Sequence, residues 1–322
     1  MILTITLNPL LERRLIFDNI KYGKVNRTEN EIYKAGGKGI NVNRQLNLLG
    51  MQSAGLTFLG GNNGKMLRKI LTEEEINFTA VNTKNETRSG CLAIDNSAKT
   101  ISTFFGPNTI LLSEEINEFE QRLEKAVLNS SIVVISGSSP SPLADEIFIK
   151  TIELCGINDK LCVLDTYGKH LKDCIDKAPA ILHNNLEELE KSLNISLKTE
   201  KEITDFLDYL YSKDVKMAFL TNGKKTGYAS KFGFKYKFTV PAVKEIDATG
   251  SGDAFVSGIC YGLEKSMVFE DFLKFAAAAG ASNCTKWDVC ASSKDEIESF
   301  IPEVKIEPVG KKMKIIDDSP NY

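Results

Sequence analysis

From about residue 130 onward, short β-branched runs alternate with helical patterns, and this alternation constrains the fold more than any other feature of the chain. Residues 131–135 (SIVVI) read as a strand, residues 143–155 as a helix, and residues 161–164 (LCVL) as the next strand. A short strand at 181–182 precedes a charged helix at 186–192, and a helix near 200–213 leads into a strand at 216–220. Strands that alternate with helices form a mostly parallel sheet with both faces covered, so the expected class is a three-layer α/β fold. The N-terminal third has a different pattern. Residues 14–17, 28–33, 91–94 and 100–105 read as strands with hairpin-type connections, Asp95-Asn-Ser marking the last turn. They predict a small β-sheet lid, from about 12–34 and 88–106, over the main domain. Helices are expected at about 40–49 and 64–73. Residues 1–310 read as one domain, and the charged tail 311–322 as disordered.

The 322 residues suffice for a large core, and 42% apolar residues with a net charge of −3 offer no electrostatic footing for nucleic acid or an anionic membrane. No apolar run is long enough to span a bilayer, and residues 1–7 (MILTITL) read as a buried strand rather than a signal peptide. The seven cysteines are odd in number, scattered and free of any C-x-x-C pair, and there are only two histidines. That usage argues against a disulfide scaffold or a zinc site and suits a reducing cytoplasm.

Chemistry concentrates in Ala248-Thr-Gly-Ser-Gly-Asp-Ala-Phe-Val256. Gly250 and Gly252 permit close backbone approach, and the apolar run after them reads as a buried helix. A helix starting at such a turn presents unpaired N–H groups and a positive dipole end, which suits an anion. Asp253 then lies in the first helical turn beside that anion. A carboxylate there is electrostatically odd unless it accepts a proton from an attacking hydroxyl, and phosphoryl transfer follows. By themselves the nine residues fit equally a capped helix behind a glycine-rich loop.

Ala35-Gly-Gly-Lys-Gly-Ile-Asn41 is a second glycine cluster before a helix. It lacks the Ser/Thr after lysine of a Walker A loop, and no G-x-G-x-x-G follows the first strand. It reads either as a cradle for a polar or anionic small ligand or as a glycine turn with a solvated lysine. Asn185 and Glu188, three apart, share one face of a helix start. They suit a hydrated Mg²⁺ or, equally, a helix cap. Arg88, just before a lid strand, is either a bidentate phosphate ligand or a solvated side chain.

Taken together, these motifs resemble the ribokinase-like carbohydrate kinases, in the phosphofructokinase-B branch that contains 1-phosphofructokinase and tagatose-6-phosphate kinase. The resemblance runs from Thr4-Ile-Thr-Leu-Asn-Pro9 to about residue 300. It includes Val25-Asn-Arg27, Gly36-Gly-Lys-Gly-Ile-Asn-Val42, Glu86-Thr-Arg88, Ser136-Gly-Ser138, Asp165-Thr166, Asn185-x-x-Glu188, Thr221-x-Gly223 and Thr249-Gly-Ser-Gly-Asp253. It implies a Rossmann-type αβα domain with a lid, ATP as donor, Mg²⁺ as metal and a phosphosugar hydroxyl as acceptor. It further implies that Asp253 is the base and that Gly250, Ser251 and Gly252 form the anion hole. Glu12, Gly37, Lys38, Asn41 and Ser138 would hold the sugar, and Arg88 with Lys38 its phosphate. Asn185 and Glu188 would order Mg²⁺ through water. Thr221, Gly223, Thr249, Asn185 and Asn283 (after the Ala-rich helix 276–281) would serve the nucleotide. By analogy with relatives, the lid sheet is the expected homodimer face.

Several positions depart from the family pattern. Asn8-Pro-Leu-Leu-Glu12 replaces Asn-Pro-Ala-x-Asp, Ser138-Ser-Pro-Ser-Pro142 replaces Ser-Leu-Pro-x-Gly, and His183-Asn-Asn185 replaces Lys-Pro-Asn. Tyr167 stands where a small residue normally follows the Asp-Thr pair. The base and anion hole survive these changes, whereas the identity of the sugar is not carried over. The expected activity is therefore a ketohexose-phosphate kinase acting on fructose 1-phosphate or tagatose 6-phosphate. The alternatives are a kinase of another sugar or nucleoside and a non-catalytic sugar-phosphate-binding regulator.

Overall fold

The computed structural model describes residues 1–310; the expected disordered tail, 311–322, lies outside the described residues. The chain runs β1 (Ile2–Thr6), β2 (Leu10–Phe17), β3 (Asn30–Gly36), α1 (Lys38–Leu48), β4 (Ser53–Gly60), α2 (Gly61–Glu73), β5 (Phe78–Thr83), β6 (Ser89–Asp95) and β7 (Thr100–Phe105). It continues through α3 (Ser113–Leu128), β8 (Ile132–Ser136), α4 (Pro142–Ile157), β9 (Leu161–Asp165), α5 (Leu171–Asp176), β10 (Ile181–Asn185), α6 (Leu186–Leu193), α7 (Glu200–Ser212) and β11 (Met217–Thr221). The last elements are β12 (Gly227–Lys231), β13 (Phe234–Phe238), α8 (Ser251–Glu264), α9 (Phe269–Asn283), α10 (Lys294–Phe300) and β14 (Ile306–Val309).

The main sheet has ten strands in the order β14-β13-β12-β11-β10-β9-β8-β1-β4-β5. From β5 across to β11 every pairing is parallel, and β12, β13 and β14 extend the far edge antiparallel. Strand β8 shows why both faces are covered. Val133 and Ile135 pack with Phe119, Phe148 and Leu207 on one side, while Ile132 and Val134 pack with Leu46, Phe255 and Phe275 on the other. Alternate residues point to opposite faces, so a strand buried on both sides is apolar throughout.

Chain order reverses at β1. The chain moves outward through β4 to β5 on one side and through β8, β9 and β10 on the other. Loops leaving the carboxyl ends of β1 and β8 therefore diverge and leave a crevice there, where open α/β sheets bind ligands.

The lid is a separate four-stranded sheet, β3-β2-β6-β7. The expected hairpin pattern holds for β2 with β3 and for β6 with β7, both antiparallel. The central pair, β2 with β6, is parallel instead, because α1, β4, α2 and β5 intervene and return the chain in the same direction.

Helices α8 and α9 pack closely enough that a Cβ on Gly258 would lie 2.5 Å from Ala276 Cα. This contact fixes the height of α8, whose first turn carries Asp253. Gly258→Ala is expected to destabilise the fold by about 1–3 kcal/mol through overpacking, read as a lower midpoint in urea unfolding.

Candidate active site

A cleft of about 410 Å³ opens over the carboxyl ends of β1, β8, β9, β10 and β11, between them and the lid. Its floor is the start of α8. Gly250, the residue before that helix, adopts φ 76°, in the left-handed region that favours glycine, and a Cβ there would collide with Val289. The chain thereby turns sharply into α8, and Gly250, Ser251 and Gly252 line the cleft at its N-terminus. Gly37, at φ 123°, does the same at the start of α1, and both Gly37 and Lys38 face the cleft.

Asp253 is 3% exposed, and its Oδ2 accepts from Asn41 Nδ2 at 2.8 Å. Burial pushes its pKa up; Lys38 and the Asn41 hydrogen bond pull it down and Asp165 raises it, leaving it at about 7. Lys38 Nζ lies 3.2 Å from Glu188 Oε2 and 3.5 Å from Asp165 Oδ1, and 5.1 Å from the centre of the Tyr167 ring. Desolvation opposes its charge, yet Asp165, Glu188 and Asp253 together hold its pKa above the ordinary lysine value. Asp165 is fully buried, which alone would raise its pKa. Lys38, with hydrogen bonds from His183 and Ser136, holds it well below the usual carboxylate range instead. Two carboxyl groups in one cleft thus carry opposite tunings, one a permanent anion and one poised near neutrality, the pattern that separates electrostatic partner from proton acceptor.

Most of the residues expected from sequence converge here. Gly37, Lys38, Asn41, Arg88, Ser138, Asn185, Glu188, Thr221, Gly223 and Thr249 all line the cleft with Gly250, Ser251, Gly252 and Asp253. At the lid end Arg88 donates to the carbonyl of Asn8 at 3.0 Å, and its guanidinium carbon lies 5.8 Å from the centre of the Phe105 ring. Asn185 caps α6 by accepting from Glu187 N at 2.9 Å, and Glu188 is paired with Lys38.

Two expected residues lie elsewhere. Glu12 pairs with Arg14 at 2.9 Å and faces a neighbouring cavity of about 240 Å³, so its carboxylate turns away from the cleft. Asn283, 1% exposed, lies behind the cleft. It donates to Thr249 O at 2.8 Å and Ser251 Oγ at 3.1 Å and accepts from Cys290 N at 2.7 Å. It therefore braces the glycine turn, and Ala277 and Gly280 supply the cleft wall from α9.

Some residues at the site had no role assigned from sequence. His183 donates from Nδ1 to the Asp165 carboxylate at 3.0 Å, stacks on Phe255 at 5.3 Å and reaches Thr221 Oγ1 at 3.3 Å. Asp165 carried a signal, being a carboxylate that ends an apolar strand at the sheet's ligand-binding edge. Phe105 carried none.

An α/β sheet with a cleft at its switch point, a helix N-terminus on the floor and a poised carboxyl beside it defines a phosphoryl-transfer site. The chain belongs to the pfkB family of carbohydrate kinases, whose family model matches residues 4–296. It is 28% identical over 312 residues to a 1-phosphofructokinase of Borreliella burgdorferi, covering 96% of this chain and 99% of that one. It is also 28% identical over 309 residues to a tagatose-6-phosphate kinase of Staphylococcus epidermidis, covering 95% and 99%. The fold matches that of a possible 1-phosphofructokinase from Thermotoga maritima with a TM-score of 0.88, covering 96% of this chain and 99% of that one at 23% identity.

Asp253→Asn keeps the shape but removes the titration. With the folded pKa raised above the ordinary carboxylate value, the buried proton stabilises the fold fully below about pH 4. That contribution is lost as pH rises through about 7. The variant is expected to have a higher Tm than the wild type at pH 8 and an equal one near pH 4, measured by thermal unfolding across that range.

Proposed function

We propose that the protein is an ATP-dependent phosphosugar kinase that transfers the γ-phosphoryl group of ATP to a hydroxyl of a ketohexose phosphate, fructose 1-phosphate or tagatose 6-phosphate. The observation that carries this reading is the Asp253 carboxyl, buried at the α8 N-terminus with a pKa near 7. In its ionised form it accepts the proton of the acceptor hydroxyl. The hydroxyl oxygen then bonds to the γ-phosphorus, the bond from that phosphorus to the bridging oxygen breaks, and ADP leaves. The backbone of Gly250, Ser251 and Gly252, with the α8 dipole behind it, stabilises the charge that spreads over the moving phosphoryl oxygens.

Lys38 and Arg88 are the two cations of the cleft wall, and they give an anionic acceptor a counter-charge at the lid end. The Oδ1 of Asn8, beside Ser138 and Arg88, is buried without a partner among the described residues, and a sugar hydroxyl has the donor it lacks. Thr221, Gly223 and Thr249 form the nucleotide side. Asn185 and Glu188 both line the cleft, one with its amide oxygen capping α6 and the other paired with Lys38, so this sparse oxygen set would order a Mg²⁺ through the waters the ion keeps. When bound, the metal would neutralise phosphate charge. No membrane-crossing helix occurs among the described residues, in keeping with a cytoplasmic enzyme. A homodimer through the lid sheet, whose Phe104 is exposed on the face opposite the cleft-lining Phe105, is tested by light scattering on the eluting protein.

ADP release with ATP and Mg²⁺ is to be measured against fructose 1-phosphate, fructose 6-phosphate, tagatose 6-phosphate, fructose, ribose and adenosine. One ketohexose phosphate is expected to exceed the rest, and equal use of unphosphorylated sugars would overturn the assignment. Arg88→Ala is expected to raise KM for the phosphosugar by about tenfold or more while leaving that for ATP nearly unchanged, since it removes a charged hydrogen bond at one end of the cleft. Asp253→Asn is expected to abolish turnover.

A further inference from the structure

Behind Asp253 a hydrogen-bonded chain crosses three helices. Glu74, the residue capping α2, accepts from Arg44 Nε at 2.9 Å. Arg44 also donates through Nη2 to the carbonyl of Ala35 at 2.7 Å and through Nη1 to Asn41 Oδ1 at 2.8 Å. Asn41 Nδ2 then donates to Asp253 Oδ2 at 2.8 Å. Each guanidinium nitrogen is occupied, and the Arg44 side chain is 14% exposed, so the fork is held rather than free.

The chemistry of this chain runs in one direction. A guanidinium carries donors only, so whichever amide atom faces it must be oxygen. With the Asn41 oxygen committed to Arg44, the amide nitrogen is obliged to face Asp253. A flipped amide would set oxygen against oxygen there, tolerable only with a proton between them. We propose that Arg44 is a positioning residue that locks the Asn41 amide with its N–H toward Asp253, so that the ionised form of the base is favoured and one carboxylate oxygen is kept engaged away from the acceptor. This inference rests on the reading of Asp253 as the base. The charged and titratable groups facing Asp253 are Lys38 from α1, Asp165 at the end of β9, His183 from β10 and Cys290 after α9. None of these contacts the Asn41 amide oxygen that Arg44 holds, so their influence is separable from its own.

The test follows Asp253 directly, by carboxyl ¹³C NMR titration of aspartate-labelled protein with the resonance assigned through Asp253→Asn, alongside the pH dependence of kcat. Arg44→Met is expected to raise the Asp253 midpoint by about one pH unit. The kcat deficit is expected to be roughly fivefold at pH 7 and to shrink below about twofold at pH 9, where the carboxyl ionises in both proteins. Arg44→Lys retains the charge but cannot serve Glu74, Ala35 O and Asn41 at once, so it should recover only part of the shift. In an Asn41→Leu background, Arg44→Met should move the midpoint no further, because the amide through which it acts is gone. An unchanged midpoint with a lowered Tm would reduce Arg44 to a pin between α1 and α2 and overturn the proposal. An equal shift in the Asn41→Leu background would overturn it in favour of a through-space charge effect. A wild-type protein that turns over no sugar while its Asp253 midpoint still responds to Arg44 would sustain this inference and defeat the kinase reading instead.

Discussion

The arrangement depends on keeping one carboxyl group out of water at the start of a helix. Asp253 faces the α8 N-terminus, which favours negative charge, and a nearly complete shell of protein, which opposes it. The balance leaves a group near neutrality rather than a permanent anion or a permanently protonated acid. That balance requires α8 to sit at a fixed height over the sheet edge, and the contact of Gly258 with Ala276 sets this height. The core packing and the tuning of the Asp253 carboxyl are therefore one constraint, transmitted along a single helix.

Charge in the cleft is divided by role. Asp165 is buried more completely than Asp253, yet it is held anionic because Lys38, His183 and Ser136 all address it. Its negative charge in turn helps keep Lys38 an ammonium and adds to the upward pressure on Asp253. His183 is tied to Asp165 and Thr221 and stacked on Phe255, so the imidazole belongs to the cleft wall rather than reaching across it. Glu12 is withdrawn in the same sense, paired with Arg14 in the adjoining cavity. The lid end of the cleft is thus lined by Asn8, Arg88, Ser138 and Phe105.

Much of this molecule was legible from residue order alone. Alternating apolar runs dictate strands and helices because burial on both faces of a parallel sheet leaves no room for polar alternation, and β8 and β9 follow that rule. Glycine at 37 and 250 marks positive φ before a helix, which is a property of one residue's backbone and needs no neighbours. The carboxyl in the first turn of α8, the glycine turn and the lid strands follow from such local signals. What sequence could not decide is which side chains meet across large separations. The parallel pairing of β2 with β6 depends on two intervening βα units. The turning of Glu12 toward Arg14, the withdrawal of Asn283 behind the glycine turn, and the run from Glu74 through Arg44 and Asn41 to Asp253 depend on packing among elements distant in the chain. Local conformation is set by each residue's own torsional preferences, whereas contact and desolvation are set by everything the fold brings near.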